Sequence, residues 1–444
     1  MNNKLKCVLV VVGCCEAALE AFAGASGELQ DQVRKQVDIE YPTLFEFYKD
    51  LHTHPELSFQ EEQTSARVAA EFRKAGFEVT TGVGKHGVVA VLRNGGGPTV
   101  LLRTDMDALP VKEQTGLPYA SKATTLDDKG DQVPVMHACG HDAHMACAAG
   151  TARILARLKD RWHGTLVIIG QPAEERGGGA RAMLADGLFT RFPRPDFCLA
   201  LHDDAGLEVG TLGYTSGWAM ANVDMVDVLI HGVGGHGAYP HKTKDPIVLA
   251  AQIVLALQTI VSREVQPGEA AVVTVGSIHG GTKHNIIPDE VRLQITVRSY
   301  TDEVRRQTLE SIKRIVRGQA VAAGMPDDRL PEVSVRDEFT PATYNNPELT
   351  GRIVGVFNTW FGDAKVIQKK PVMGGEDFSE YGRTADKIPI FLFMVGGVSP
   401  EAYRKRYTVP LPSLHSPLWA PVPEPTIKTG VTAMTAAALE LMGK

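Results

Sequence analysis

Between residues 136 and 145 the chain places a thiol (Cys139), three imidazoles (His137, His141 and His144) and a carboxylate (Asp142). Thiolate and imidazole are ligands for borderline divalent metals, so the cluster points to a metal centre. Cys139 and His141 are two residues apart, which in an extended strand end or loop turns both side chains to one side. Gly140 between them permits a sharp turn or a close approach of the backbone to an ion. Taken singly, each group reads as a small buried residue or a satisfied loop histidine. As a cluster they have little reason to lie so close without a metal.

Three further stretches carry chemistry at the ends of apolar runs. Residues 100–103 lead into Asp105 and Asp107. Open α/β sheets place ligands at the carboxyl ends of strands, where two carboxylates suit a metal or the orientation of a ligating histidine. Loop capping is the plainer alternative. Residues 166–169 lead into Glu174 and Glu175. Adjacent side chains point apart, so one glutamate can bind metal while the other faces a water. Residues 197–201 lead into His202, giving three strands with the same placement. His236, in a glycine-rich turn, suits reaching across a cleft, and His415 lies in a late loop before Pro417. Each of these two alone reads as an ordinary surface histidine.

The elements that must position these groups follow from periodicity. Residues 42–51 and 61–75 have helical spacing, and 77–81, 88–92, 100–103, 166–169 and 197–201 are short apolar strands. The alanine-rich run 144–158 is predicted as a helix with Asp142 as its N-terminal cap. Helix and strand alternate, so the first domain is α/β with an at least partly parallel sheet flanked by helices. Near Asn222 the pattern changes. Strand 223–230, helix 247–261, strands 271–278 and 291–297, helix 302–322 and a final strand give a ferredoxin-like α+β order. The catalytic domain is therefore predicted over 38–222 and 334–444, resuming with helices 348–360 and 427–441. The segment 223–333 is predicted as an inserted lid or dimerisation domain.

The chain has 444 residues and a formal net charge of -6, which argues against general nucleic-acid binding. Six cysteines, three of them near the N-terminus, do not form a disulfide framework, and Cys147 and Cys198 lie in apolar core-like runs. Residues 1–24 read as an export signal. Lys4 and Lys6 precede an apolar stretch, and Ala21-Phe22-Ala23 offers a small-x-small cleavage site. Val11-Val12-Gly13-Cys14 also fits a lipoprotein signal, with Cys14 carrying a lipid anchor. Either reading exports the protein to a periplasmic, secreted or anchored state, and a cytoplasmic chain with a frayed N-terminal helix is the alternative. No other apolar run reaches the ~20 residues that span a bilayer.

Taken in order, Leu51–Ser58, Arg103–Pro110, His137–Asp142, Gln171–Glu175, His236–Pro240 and Met373–Phe378, with Asn285–Pro288 and Leu414–Pro417, resemble one family. It comprises the dinuclear metallo-amidohydrolases that include hippurate hydrolase, N-acyl-amino-acid amidohydrolases and indole-acetyl-amino-acid hydrolases, with aminoacylase-1 and carboxypeptidase G as relatives. The resemblance runs from about residue 41 to the C-terminus. It implies that Cys139 bridges two divalent ions. His141 and His202 would complete one site, and Glu175 and His415 the other. Glu174 would be the general base, with Asp105 and Asp107 supporting the ligands. His236 would polarise the scissile carbonyl, often from a dimer partner. Asn285, Arg298 and Gly375 would hold substrate. Zinc or manganese suits such a site, with cobalt or nickel also permitted. The one departure is Asp203-Asp204-Ala205 after His202, where the family more often has an apolar residue and a proline. It suggests altered geometry there and a pocket biased against anionic groups on that side.

The reaction so implied is hydrolysis of the amide bond of an N-acyl amino acid. A carboxypeptidase or dipeptidase with the same site is the alternative, since acyl and peptide bonds differ only at the pocket. A non-catalytic metal-binding scaffold would require a missing ligand or base, and none is missing.

Overall fold

The computed structural model describes residues 4–337 and 339–443, with side chains from residue 27 onward. The export-signal reading, including Cys14, falls on residues whose side chains lie outside that description. Eight strands make the large sheet. In spatial order they are Glu78–Val83, Gly87–Asn94, Gly164–Gln171, Thr99–Asp105, Phe197–Glu208, Ile390–Val398, Leu212–Tyr214 and Val366–Gln368. Thr99–Asp105 runs parallel to both Gly164–Gln171 and Phe197–Glu208, and the latter runs parallel to Ile390–Val398. The outer pairs are mostly antiparallel, so the sheet is mixed. The central strands are buried on both faces, which is why they read as continuous Val/Ile/Leu runs and not as alternation.

One face of the sheet is covered by the helices His141–Arg157, Pro423–Met442 and the C-terminal part of Lys4–Thr53. Small residues let these helices approach closely. A methyl group on Gly150 would lie 2.6 Å from Val431. Phe391, Phe393 and Phe357 fill the space beneath, each fully buried. Each such side chain contributes on the order of 1.5–3 kcal/mol by leaving water. The opposite face holds a second core around Val89, Ile169, Leu392 and Tyr381.

From Asn222 the chain builds a separate four-stranded antiparallel sheet, ordered Ala271–Gly280, Glu290–Ser299, Asn222–His231, Glu332–Val335. Its strands do alternate, one face buried, and that face is packed by Pro246–Thr259 and Asp302–Ala322. This is the ferredoxin-like order expected from the sequence. The run Pro246–Glu264 is apolar and long enough to cross a membrane, against the expectation that no run beyond the N-terminus would be. Its Leu249, Ile253, Leu257 and Ile260 are buried against the sheet, as in a core helix.

Candidate metal centre

The sheet register sets the site. Asp105 pairs with Gln171 on one neighbour, and Arg103 pairs with Ala200 on the other. His202 lies two residues beyond Ala200, so the acidic pair, the Glu174–Glu175 turn and His202 gather at one end of three adjacent strands. His202 is not a strand end, as the sequence suggested. The strand continues to Glu208, held by Ile390–Val398 after Thr99–Asp105 has stopped pairing. The strand Ile390–Val398 was missed because it carries no chemical group to draw attention.

The Cys139 turn enters from the side. Gly140 has φ +74, and the helix His141–Arg157 starts directly after it. Asp142 is therefore not the cap. It lies in the first turn, where one oxygen accepts from the Ala143 amide and the other is 2.6 Å from His52 Nδ1. His415, from a late loop with φ +66, donates its amide to the Ala138 carbonyl at 2.8 Å.

Among the described residues donor atoms converge in several overlapping groups, including Cys139, His141 and His202; Cys139, Glu175 and His415; and His141, Glu174 and Glu175. Within each group they lie within 4.8 Å of one another. Cys139 Sγ is 3.5 Å from His202 Nε2, and His415 Nε2 is 3.4 Å from Glu175 Oε2. Both inner histidines present Nε2 because Nδ1 is engaged by a backbone carbonyl, His141 on Asp107 at 2.8 Å and His202 on Asp203 at 2.7 Å. That arrangement fixes the tautomer a metal ligand needs. Buried His141 Nε2 and Glu175 Oε1 have no hydrogen-bond partner. Buried polar atoms are rarely left so, and a cation between them satisfies both. The residues fit a metal. Asp105 and His144, which also lie close, are spent on each other at 2.7 Å.

Electrostatics points the same way. Burial pushes the Glu174 carboxyl well above the usual carboxylate range, and Glu376, Glu175 and Asp377 push it further, with Arg103 opposing. Burial raises the Cys139 thiol, and the surrounding carboxylates add to it. Burial opposes charge on His141, but Asp105 and Asp107 prevail and raise it to about 9. A thiol and this many carboxylates in one buried pocket call for more positive charge than Arg103 supplies.

Asp105 and Asp107 differ in task. Asp105 accepts from Arg103 Nη1 at 2.5 Å and lies 2.7 Å from His144 Nδ1. Asp107 accepts from the Glu174 and Glu175 amides at 3.1 and 3.0 Å and from Ser58 at 2.6 Å. It thereby pins the glutamate turn, while its carbonyl orients His141. Arg103, wholly buried, joins Asp105 to Glu376 (2.7 Å) and Asp377 (3.2 Å). Arg103, Glu376 and His52 received no role in the sequence reading, and His144 counted only as one imidazole of the cluster. Arg103, Glu376 and His52 lay in plain view in the resemblance stretches, but nothing in the sequence showed which acid met which base.

A cavity of about 550 Å³ opens over the centre. Cys139, Glu174, Glu175, His202 and His415 form its floor, with Arg298 and Gly375 on its wall. Met220, Val223, Met225, Phe339 and Met373 add an apolar side where the chain enters and leaves the smaller sheet. Gly375 must lack a side chain, because a methyl there would meet Val223 at 2.3 Å. Arg298 donates Nε to Thr296 at 3.1 Å and, among the described residues, forms no ion pair. His236 and Asn285 do not line this cavity. They adjoin each other in an exposed pair of short strands, with His236 opposite Ile286 and the Gly237 amide on the Asn285 carbonyl at 2.9 Å. Asp203 and Asp204 do not line it either, so the expected bias against anions has no source there. Asp204 pairs with Lys369, and Asp203 is enclosed.

Known proteins share this architecture. Residues 101–414 match the model of Peptidase family M20/M25/M40. Thermostable carboxypeptidase 1 of Saccharolobus solfataricus is 37% identical over 369 residues, covering 82% of this chain and 88% of that one. Hippurate hydrolase of Campylobacter jejuni is 38% identical over 331 residues, covering 74% and 82%. The crystal structure of Bacillus subtilis YXEP, described as a dinuclear metal binding peptidase from the M20 family, superposes with a TM-score of 0.72. It is 29% identical, covering 91% of this chain and all of that one. These matches put the chain in Peptidase family M20/M25/M40, among metallopeptidases and amidohydrolases, and make it a hydrolase.

Proposed function

We propose that the protein hydrolyses the amide bond of N-acyl amino acids, releasing a carboxylic acid and a free amino acid. Two divalent ions would be held by Cys139 as the shared ligand, by His141 and His202 on one side and by Glu175 and His415 on the other. The observation that carries this reading is the pair of overlapping donor groups meeting at Cys139, with unpaired His141 Nε2 and Glu175 Oε1 between them. When bound, the ions supply Lewis acidity and lower the pKa of a water. Zinc or manganese suits the thiolate, imidazole and carboxylate set, and cobalt or nickel is compatible.

Glu174 is the general base. Its carboxyl lines the cavity beside Glu175, and its surroundings favour uptake of a proton. The same carboxyl can hand that proton to the leaving amine nitrogen. Arg298, with no ion pair among the described residues, takes the substrate carboxylate, and the methionine-rich wall takes an apolar portion. His236 serves as the oxyanion donor from a second copy of the chain, since in its own chain it stands outside the cavity. A homodimer is supported by exposed Ile247, Val248, Leu255 and Val261 on the smaller domain, beside the free edge of Ala271–Gly280. On this reading residues 223–333 are a lid and dimerisation domain. Export by way of residues 1–24 remains part of the proposal from sequence.

The test is an activity screen on metal-stripped protein given back one ion at a time. N-acetyl- and N-benzoyl-amino acids are expected to turn over faster than dipeptides. Faster cleavage of dipeptides would move the assignment to a peptidase, and turnover without metal would remove the centre altogether.

A further inference from the structure

The departure after His202 has a structural use. The Asp203 carboxylate is 1% exposed and is surrounded by groups from three segments. Oδ2 accepts the indole N–H of Trp419 at 2.9 Å. Oδ1 lies 3.2 Å from His202 Nδ1 and 3.2 Å from His144 Nε2. The backbone takes part as well: the Asp203 amide donates to His144 Nε2 at 2.8 Å, and its carbonyl accepts from His202 Nδ1 at 2.7 Å. Across from it, a methyl on Gly140 would sit 2.5 Å from the carboxylate, so the Cys139 turn is moulded around this side chain.

Trp419 is four residues beyond His415 and is buried. A buried indole N–H needs an acceptor. An apolar residue at position 203 would leave this one unpaired, so Asp203 and Trp419 make sense only together. His415 holds a left-handed backbone conformation, φ +66, which a non-glycine residue keeps only when its surroundings impose it. Two anchors flank that residue. One is its own amide on the Ala138 carbonyl, and the other is Trp419 on Asp203. The first ties the His415 loop to the Cys139 turn, and the second ties it to the His202 strand. His415 itself is half-exposed at the cavity rim, and one more tie holds its loop, the Gln114 amide on the Pro417 carbonyl at 2.8 Å.

We propose that Asp203 is a positioning residue that locks the His415 loop, through Trp419, in register with the His202 strand, so that the ion held by Glu175 and His415 depends on residue 203. This rests on the two-ion reading above. It goes further in assigning the hold on His415 to a residue that touches neither substrate nor metal.

The experiment titrates metal-stripped full-length protein with zinc and with manganese, counting ions per chain and measuring each dissociation constant. Wild type, His415→Ala, Trp419→Phe, Asp203→Asn, Asp203→Leu and the Asp203→Leu/Trp419→Phe double variant are compared. His415→Ala identifies which of the two ions belongs to the His415 side. Trp419→Phe removes only the indole donor. It is expected to weaken that same ion about 10- to 100-fold and leave the other within a few-fold. Asp203→Asn keeps an acceptor for Trp419 and should bind that ion nearly as wild type does. Asp203→Leu should weaken it as Trp419→Phe does, and the double variant should be no worse for that ion than either single change. Wild-type binding of both ions by Trp419→Phe would overturn the proposal, as would losses that multiply in the double variant. If Asp203→Leu does not fold, Trp419→Phe against Asp203→Asn decides alone. A wild type that holds fewer than two ions would instead sink the dinuclear reading, so the two failures are distinct.

Discussion

The large sheet and the small one treat their chemical groups in opposite ways. At the carboxyl ends of Thr99–Asp105, Gly164–Gln171 and Phe197–Glu208, the functional side chains are buried or nearly so, and the groups that support them are fixed by named partners. Asp107 alone holds a histidine, two glutamate amides and a serine. On the small sheet's side, His236 stands exposed on a two-residue ladder and Asn285 in the turn that leads into it. The difference teaches where each half of the reaction is assembled. On the proposed function, the half that would hold cations and move a proton is organised by the fold of one chain. The half that would polarise the carbonyl is only presented, and would need an approaching surface to bring it into place.

The sharpest way to break this contrast is at Glu174. Glu174→Gln should lower kcat by about 100- to 10,000-fold while leaving metal content unchanged, because the amide keeps the shape and loses the proton site. Metal analysis beside steady-state kinetics checks it, and near-normal turnover would strip Glu174 of its role. His236→Ala should cost about 100-fold or more in kcat, the scale for removing one oxyanion donor. Its location makes a second measurement possible. Co-expressing Glu174→Gln with His236→Ala should restore roughly a quarter of wild-type activity if random dimers form and His236 acts across them. No recovery would place the histidine in its own chain's cavity and erase the contrast.

What the sequence disclosed follows the same division. Among the candidate ligands, Cys139 and His141 were legible as rare types clustered together, and Glu175 and His202 as groups at strand tips, whereas His415 entered only through the family resemblance. The small sheet was legible from its alternation and five of the large sheet's eight strands from their buried runs. The supports were not. Arg103 reads as one basic residue before an acidic pair, yet it meets Glu376 and Asp377 some 270 positions away. His52 and Asp142 are 90 residues apart and are 2.6 Å apart in space. Such pairings are set by topology, which local pattern does not encode. Asp203 was visible only as a departure, and its sign was misjudged. It looked like a charge aimed at substrate and is instead enclosed behind the ligands.

His52 gives a pH-dependent way to probe the pre-built half. Burial by itself would lower its pKa. Asp142 at 2.6 Å and Glu113 at 3.0 Å override that and raise it to about 10 from the ordinary 6.5. Both carboxyls are lowered in return. Since the folded value lies above the unfolded one, the stabilisation is complete below about pH 6.5 and declines as pH rises toward 10. The slope is at most about 1.4 kcal/mol per pH unit. His52→Gln should therefore be much less stable than wild type at pH 6, with the gap narrowing by pH 9. Urea unfolding at each pH measures it, and a gap that stays constant would mean that His52 is uncharged in the folded protein.

Arg298 refines the comparison, because it belongs to the small sheet and still reaches the cavity. It lies on Glu290–Ser299, opposite Val223 and Val272, at the end of the sheet nearest the large domain. Position along the strand, not membership of the inserted segment, therefore decides whether a residue serves its own chain. His231 pairs with Glu290 at the far end of the same ladder, and the His236 turn follows from there. The guanidinium is half-buried and forms no ion pair among the described residues, so a carboxylate arriving in the cavity meets a fork free to take it. Arg298→Lys keeps the charge and loses the two-point geometry. It should raise KM for an acyl amino acid about tenfold with kcat little changed, the pattern of a contact made equally in ground and transition states. It should leave KM unchanged for the matching amide, in which the substrate carboxylate is replaced by a neutral group. Equal effects on both substrates would show that Arg298 shapes the cavity wall without binding the carboxylate. Unlike His236→Ala, Arg298→Lys should not be complemented by co-expression with Glu174→Lys or Glu174→Gln, because the arginine and the base must then come from the same chain.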